Sequence, residues 1–245
     1  MSSLKDHPFA VQAFFERSAV FAYAVKKEEA QSLIPECLEL DTFDDKWAFL
    51  AAAMVETRDL RPTGLPKVFG SDFSLIGYRV FVRYTNQEGK RMRGLYILRS
   101  QTTSSRMKFF GYIFTHYNYS RTDIEDSVSG NVTRIASHGS DFDVSFEEMV
   151  DPPLPDSSPF ASWKEARRYE GPLPFTFTYE KPKRKVVMIE GVRQDWVPQP
   201  VRVIDHHFGF IESLGFSKTR LANAFVIRNI PYLWKRGRIE TWQPR

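Results

Sequence analysis

Apolar and polar residues alternate with a period of two along most of the chain, the pattern of strands with one face buried. Residues 17–25 (RSAVFAYAV), 47–57 (WAFLAAAMVET) and 72–84 (DFSLIGYRVFVRY) read as strands. The alanine run in the second of these lets another backbone approach closely. The polar turn TNQEGK, with Gly89 in it, joins 72–84 to a strand at 91–100 as a hairpin. KEEAQSLIP (27–35) reads as a short helix that Pro35 helps to end. A second helix is expected over 104–114, with Ser104 as N-cap and Met107, Phe110 and Phe114 on one buried face. Gly111 beside them would allow close packing on the sheet, and a strand is expected directly after this helix.

Three stretches between Asn118 and Val150 read as an antiparallel meander with turns at SGN and HGSD. DPPLPDSSP (151–159) reads as a surface loop, because the same strand texture resumes after it. A capping box at Ser162 and Glu165 opens a helix closed by Gly171. PFTFTYE, KVVMIEGV and PVRVIDHH are strands, FGFIESLG is a short helix ending at Gly215, and NAFVIRNI and RGRIETW complete the chain. Strands outnumber helices and follow one another. The expected architecture is one domain, residues 1–245, built on a large mainly antiparallel sheet, closed or nearly closed, with short helices at its rim. A barrel of this size can hold one small ligand inside.

With 245 residues and 42% hydrophobic content, the chain can bury a full core. No segment reaches the roughly 18 apolar residues of a membrane span; the strongest candidate is broken by Glu16 and Arg17. MSSLKDHP lacks the basic start and apolar core of a secretory signal. One cysteine, Cys37, cannot form an internal disulfide, so a reducing, cytoplasmic setting is expected. Its apolar and acidic context would raise the thiol pKa and argues against a nucleophile. The net charge of +4 is spread along the chain. Its one dense run, EKPKRK, reads as a solvated hairpin tip, and no nucleic-acid signature accompanies it. Neither a nucleic acid nor a membrane is expected as partner, and a homo-oligomer is left open. The chain carries no nucleophile elbow, phosphate-binding glycine loop, dinucleotide fingerprint or kinase set, and no cofactor is expected. Asp205, His206 and His207 are metal-capable, but adjacent histidines on a strand face opposite ways. They read as a helix cap and a strand end, and no metal is expected.

Chemistry concentrates elsewhere. On the strand 72–84, Arg79 shares a face with Phe73, Leu75, Gly77 and Phe81. A guanidinium in apolar company needs an anion, either a protein carboxylate or a bound carboxylate or phosphate. Arg99 falls on the face of the next strand that also carries Arg93, Leu95 and Ile97, so it is expected beside Arg79. Arg83, Arg91 and Arg93 are expected in solvent. In GYIFTHYNYSR (111–121), His116 lies among four aromatics. It reads either as packing with a hydrogen bond or as a proton donor or acceptor at a rim, with Tyr117 as a further polar contact.

LIPECLELDTFDDKWAFLAAAMVETRDLRPTGLP, followed by DFSLIGYRVFVRY and GLYILRSQTTSSRMKFF, resembles the uncharacterised bacterial branch of the acetoacetate decarboxylase-like superfamily. Arg61, Pro62, Gly64, Leu65 and Pro66 match its R-P-x-G-L-P loop. Phe73, Arg79 and Val82 match one family strand, with Phe81 in place of tyrosine, and Gly94 and Tyr96 match the next. The match is densest over residues 20–120. The resemblance implies a cone-like, mainly antiparallel barrel around a cavity. It also implies that Schiff-base chemistry is lost. True acetoacetate decarboxylases use a lysine activated by a second lysine, whereas the corresponding FGYIFTHYNYS has none. The family's glutamate and asparagine on the Arg79 strand are replaced by Leu75 and Gly77. Two functions are therefore expected in turn: a barrel that binds a small, anionic organic acid or carbonyl compound without covalent chemistry, or an enzyme working by noncovalent acid-base catalysis. Arg79, Arg99, His116 and Tyr117 would form the site, with His116 the candidate acid or base.

Overall fold

The computed structural model describes residues 3–170, 173–194 and 196–244. Among them, in chain order, are β1 (Val11–Lys26), α1 (Lys27–Ala30), β2 (Glu39–Leu40), β3 (Trp47–Pro62), β4 (Ser71–Thr85), β5 (Arg91–Thr102) and α2 (Ser105–Phe114). There follow β6 (Ser120–Arg121), β7 (Glu125–Ser129), β8 (Val132–Ser137), β9 (Phe142–Glu147), α3 (Trp163–Ala166) and β10 (Phe175–Glu180). The last elements are β11 (Lys185–Arg193), β12 (Gln199–Pro200), β13 (Arg202–Phe208), α4 (Gly209–Ser213), β14 (Arg220–Trp234) and β15 (Arg238–Thr241).

Seven strands close into a ring that is not evenly disposed about one axis. Its order is β14–β1–β3–β4–β5–β10–β11, and β11 returns to β14 through Gly191↔Trp234, Val192↔Leu233 and Arg193↔Tyr232. Strand directions cannot alternate all the way round an odd-numbered ring, so one neighbouring pair must be parallel. That pair is β5–β10, in register at Phe175↔Gly94. Parallel neighbours need a long crossover, and the segment between them carries α2, the meander and α3. The meander strands β7, β8 and β9 join β13 in a second, four-stranded sheet.

Burial follows strand parity. One ring face, including Phe21, Ala52, Ile76 and Tyr78, packs on Phe142, Val144, Phe146 and Phe208 of the second sheet. Arg17, in an ion pair with Asp126, ties the two together. The opposite face carries Ala51, Ala53, Phe49 and Phe81, against Phe160 and Tyr169 from the α3 region. The alanine run is thus buried on both sides, where only a methyl group fits. Phe49, Phe160 and Tyr169 form a tight aromatic plug, with ring centroids 4.1 Å apart for Phe49–Tyr169 and 5.3 Å for Phe49–Phe160.

The strands, the Gly89 hairpin and the helix of residues 105–114 stand as the periodicity predicts, and Ser104 Oγ accepts from Met107 N at 3.2 Å. Three details differ. Helix α2 is not buried on its own: Phe109 and Phe110 are exposed, and the chain after it forms only the two-residue β6. Asp205 lies within β13 and the following helix is capped at Phe208, so Asp205 caps nothing. Ser162 does cap α3, whereas the expected closing Gly171 lies outside the described residues. No helix among the described residues is long and apolar enough to cross a membrane.

Candidate ligand-binding site

The ring encloses a cavity of about 450 Å³. Its wall is built by strand alternation, with Val11, Phe15 and Ser18 from β1, Val55 and Thr57 from β3, Phe73, Leu75 and Arg79 from β4, and Ile230, Tyr232 and Trp234 from β14. Register aligns Val11 with Pro62 and Trp234 at one level, and Ala51 with Arg79 and Ile97 at another. The cavity therefore runs along the strands. From Ser71 to Arg79, both in the wall, eight strand steps span up to about 26 Å. Beyond Arg79 the next inward residue is Phe81, which belongs to the aromatic plug. Arg79 is thus at the deep end.

Among the described residues, Arg79 makes no ion pair, and its Nε has no hydrogen-bond partner. The wall contains no aspartate, glutamate or lysine among the described residues. The polar groups that face Arg79 are instead the phenols of Tyr232, Tyr119 and Tyr117. Burial holds its pKa below the ordinary arginine value. Burial also pushes Tyr119 up to about 12 and Tyr117 higher still, against the opposing pull of the guanidinium. These tyrosines are therefore neutral donors near pH 7. Thr176 also lines the cavity, and its hydroxyl opposes the rise in the Tyr117 pKa. Leu75 and Gly77 explain the arrangement. Leu75 supplies wall without charge, and a Cβ at Gly77 would lie 3.2 Å from Arg79 Nε and 3.3 Å from Nη2. The glycine makes room for the guanidinium.

The structure separates the four residues singled out from the sequence. Arg79 and Tyr117 both line the cavity. Arg99 lies on the other face of the ring, stacked 5.3 Å from the Phe210 ring centroid. A bulge is the cause: Ile97 pairs with Arg79 but Arg99 pairs with Tyr78, leaving Leu98 as an extra residue. One inserted residue reverses the faces that follow, so Ser100 lines the cavity in place of Arg99. His116 is absent from the cavity wall; its Nε2 sits 3.2 Å from Asp6 Oδ1. Asp6 is 2% exposed and also accepts from Lys185 Nζ at 2.7 Å. Burial raises the Asp6 pKa, but Lys185, the Ser3 N–H and His116 outweigh it and hold the carboxyl below its ordinary value.

Two arginines expected in solvent are elsewhere. Arg83 and Arg93 converge on Asp41, which is 0% exposed, with Arg93 Nη2 at 2.5 Å. Arg91 is exposed as expected and pairs with Glu39 at 2.6 Å. The β13 histidines also have protein partners: His206 Nδ1 meets Tyr23 Oη at 3.0 Å, and His207 bridges Asp141 and Glu212 at 3.0 and 2.9 Å. No cluster of three or more metal-capable side chains occurs among the described residues. Cys37 is buried and its thiol is pushed up to about 12 by desolvation. Sequence reasoning missed Tyr232 and His7 as wall residues. Tyr232 was accessible through the alternation of β14, but nothing in MSSLKDHP signals a wall segment. His7 is buried in a left-handed conformation (φ 56°), its carbonyl held by Gly237 N at 2.8 Å, and burial lowers its pKa.

Residues 13–236 match the DUF2071 family, described as an uncharacterised conserved protein. No curated protein matches the sequence. Among solved structures, acetoacetate decarboxylase from Legionella pneumophila superposes with a TM-score of 0.62 at 11% identity, covering 95% of this chain and 88% of that one. An acetoacetate decarboxylase-like enzyme from Sphingomonas wittichii gives 0.59 at 11% identity, covering 98% and 95%. The enduracididine biosynthesis enzyme MppR, complexed with pyruvate, gives 0.57 at 11% identity, covering 96% and 92%. The shared fold is acetoacetate decarboxylase-like.

Proposed function

The chain belongs to DUF2071, an uncharacterised family within the acetoacetate decarboxylase-like fold, and from its cavity we propose that it binds an organic acid without forming a Schiff base. One observation carries this reading: a guanidinium at the closed end of the cavity, with no carboxylate and no lysine in the wall among the described residues. A buried cation without a protein anion gains most from an anionic ligand, because its own hydration is already lost. Tyr117 and Tyr119, kept neutral by burial, can donate to the same carboxylate or to an adjacent carbonyl. A protein of the same fold, MppR, is complexed with pyruvate, itself a carboxylate.

Imine chemistry requires an amine in the cavity, and the wall offers arginines and one histidine instead. Borohydride treatment with acetoacetate or pyruvate is expected to leave the intact mass unchanged. Native mass spectrometry is expected to show an acid retained by the wild type and lost in Arg79→Met. A stable borohydride adduct, or retention unaffected by that substitution, would overturn the proposal.

A further inference from the structure

The cavity is far larger than its anchor requires, and most of the wall between Arg79 and the mouth is apolar. Phe15, Phe73, Leu75, Ile97, Phe114 and Trp234 all contribute wall. The mouth carries exposed apolar side chains as well: Leu65 is 44% exposed, Phe69 56% and Phe110 44%, and all three line the cavity. At roughly 30 Å³ for a water-sized group, the cavity of about 450 Å³ holds on the order of fifteen non-hydrogen atoms. Pyruvate or acetoacetate would fill less than half of it and leave apolar wall unmatched.

Resting on the proposed acid-binding function, we infer that the ligand is an elongated monocarboxylic acid with an apolar body of roughly a dozen carbons, its carboxylate at Arg79 and its tail at the mouth. The other wall arginines compete poorly for the carboxylate. Arg61 is engaged by Asp59 and by the Leu65 carbonyl at 2.8 Å. Arg106 is exposed at the mouth, where water and salt weaken its attraction. Arg79 alone combines depth with a side chain that no carboxylate among the described residues neutralises. A tail pointing outward passes between Leu65, Phe69 and Phe110, which accounts for apolar residues at an exposed rim.

Calorimetric titration of wild-type protein with straight-chain carboxylates from acetate to tetradecanoate tests the inference. Affinity is expected to rise about fourfold per added methylene, the equivalent of ~0.8 kcal/mol each. The rise should stop once the chain fills the cavity. The matching 1-alkanols are expected to bind at least tenfold more weakly, lacking the charge-assisted contact. Affinity that stays flat from acetate to decanoate, yet is lost in Arg79→Met, would overturn the apolar body and leave acid binding standing. Alkanols that bind as tightly as the acids would overturn the carboxylate anchor. No binding by any carboxylate would overturn both.

Discussion

Replacing Arg79 by methionine should make the protein more stable, not less, once ligand has been removed. The side chain is buried, its Nε has no partner, and no carboxylate among the described residues faces it. Methionine is close to arginine in volume and carries no charge to desolvate. Replacing buried ionic groups by apolar ones of similar volume is worth about 1–4 kcal/mol in favourable cases. At roughly 2–4 °C per kcal/mol for a chain of this size, the melting temperature of ligand-stripped protein should rise by several degrees. Binding should move the opposite way. Loss of a buried, hydrogen-bonded charge partner costs about 2–5 kcal/mol, a fall of roughly 30-fold to a few thousandfold in affinity. Urea unfolding followed by tryptophan fluorescence, with and without a saturating carboxylate, measures both quantities on one pair of proteins. If Arg79→Met lowers the stability of ligand-free protein by more than about 1 kcal/mol, the guanidinium is a structural element satisfied by the protein, and the reasoning fails.

Other expectations follow from neighbouring features. His116→Ala removes one of two side-chain partners of Asp6 and should cost about 1 kcal/mol, with carboxylate binding unchanged in calorimetry; loss of a catalytic turnover at unaltered stability would instead make His116 an acid or base. Asp6→Ala removes a partner of both His116 and Lys185, leaving Lys185 with Glu180 at 2.8 Å, and should cost more. Because the Asp6 pKa is depressed, its contribution is present above the ordinary carboxylate pKa and is lost as pH falls through the lowered folded value, which an acid-unfolding series will show. Glu170 is 5% exposed and burial pushes its pKa up to about 8. The unfolded chain releases this proton first, so stability falls as pH rises from about 4.5 towards 8. Glu170→Gln should abolish that slope and stabilise the protein at pH 8 by about 2–4 kcal/mol, measured by urea melts at pH 5 and pH 8. A Cβ at Gly111 would overlap the Tyr119 ring, so Gly111→Ala should shift α2, cost about 1–3 kcal/mol and weaken ligand binding in the same titration.

The parity of β4 was legible from its letters alone. Phe73, Leu75 and Arg79 share a face in the sequence and share the cavity in the structure. The family motifs pointed to the same barrel, and the missing lysines were visible in FGYIFTHYNYS. Arg99 was misplaced because a bulge at Leu98 leaves no mark in the composition of RGLYILRS. Period-two counting assumes an unbroken ladder. Arg83 and Arg93 were misread for a different reason. Their partner Asp41 lies about forty positions before Arg83 and 52 before Arg93, on a loop whose path the strand pattern does not determine. The placement of His116 depended on Asp6 in the same way, through a contact spanning 110 residues.

The segment from Ser3 to Ala10 has a practical implication. His7, Pro8 and Phe9 are wall, Phe9 meets the Phe114 ring at 5.0 Å, and Asp6 is clamped to Lys185. These residues lie outside the ring strands, yet they complete the lining of its chamber. An affinity tag or a proteolytic nick in this segment would loosen the Asp6 clamp and open the lined chamber at one side. Purification handles therefore belong at the other terminus, and gentle trimming of this arm offers a way to release whatever the chamber carries out of the cell.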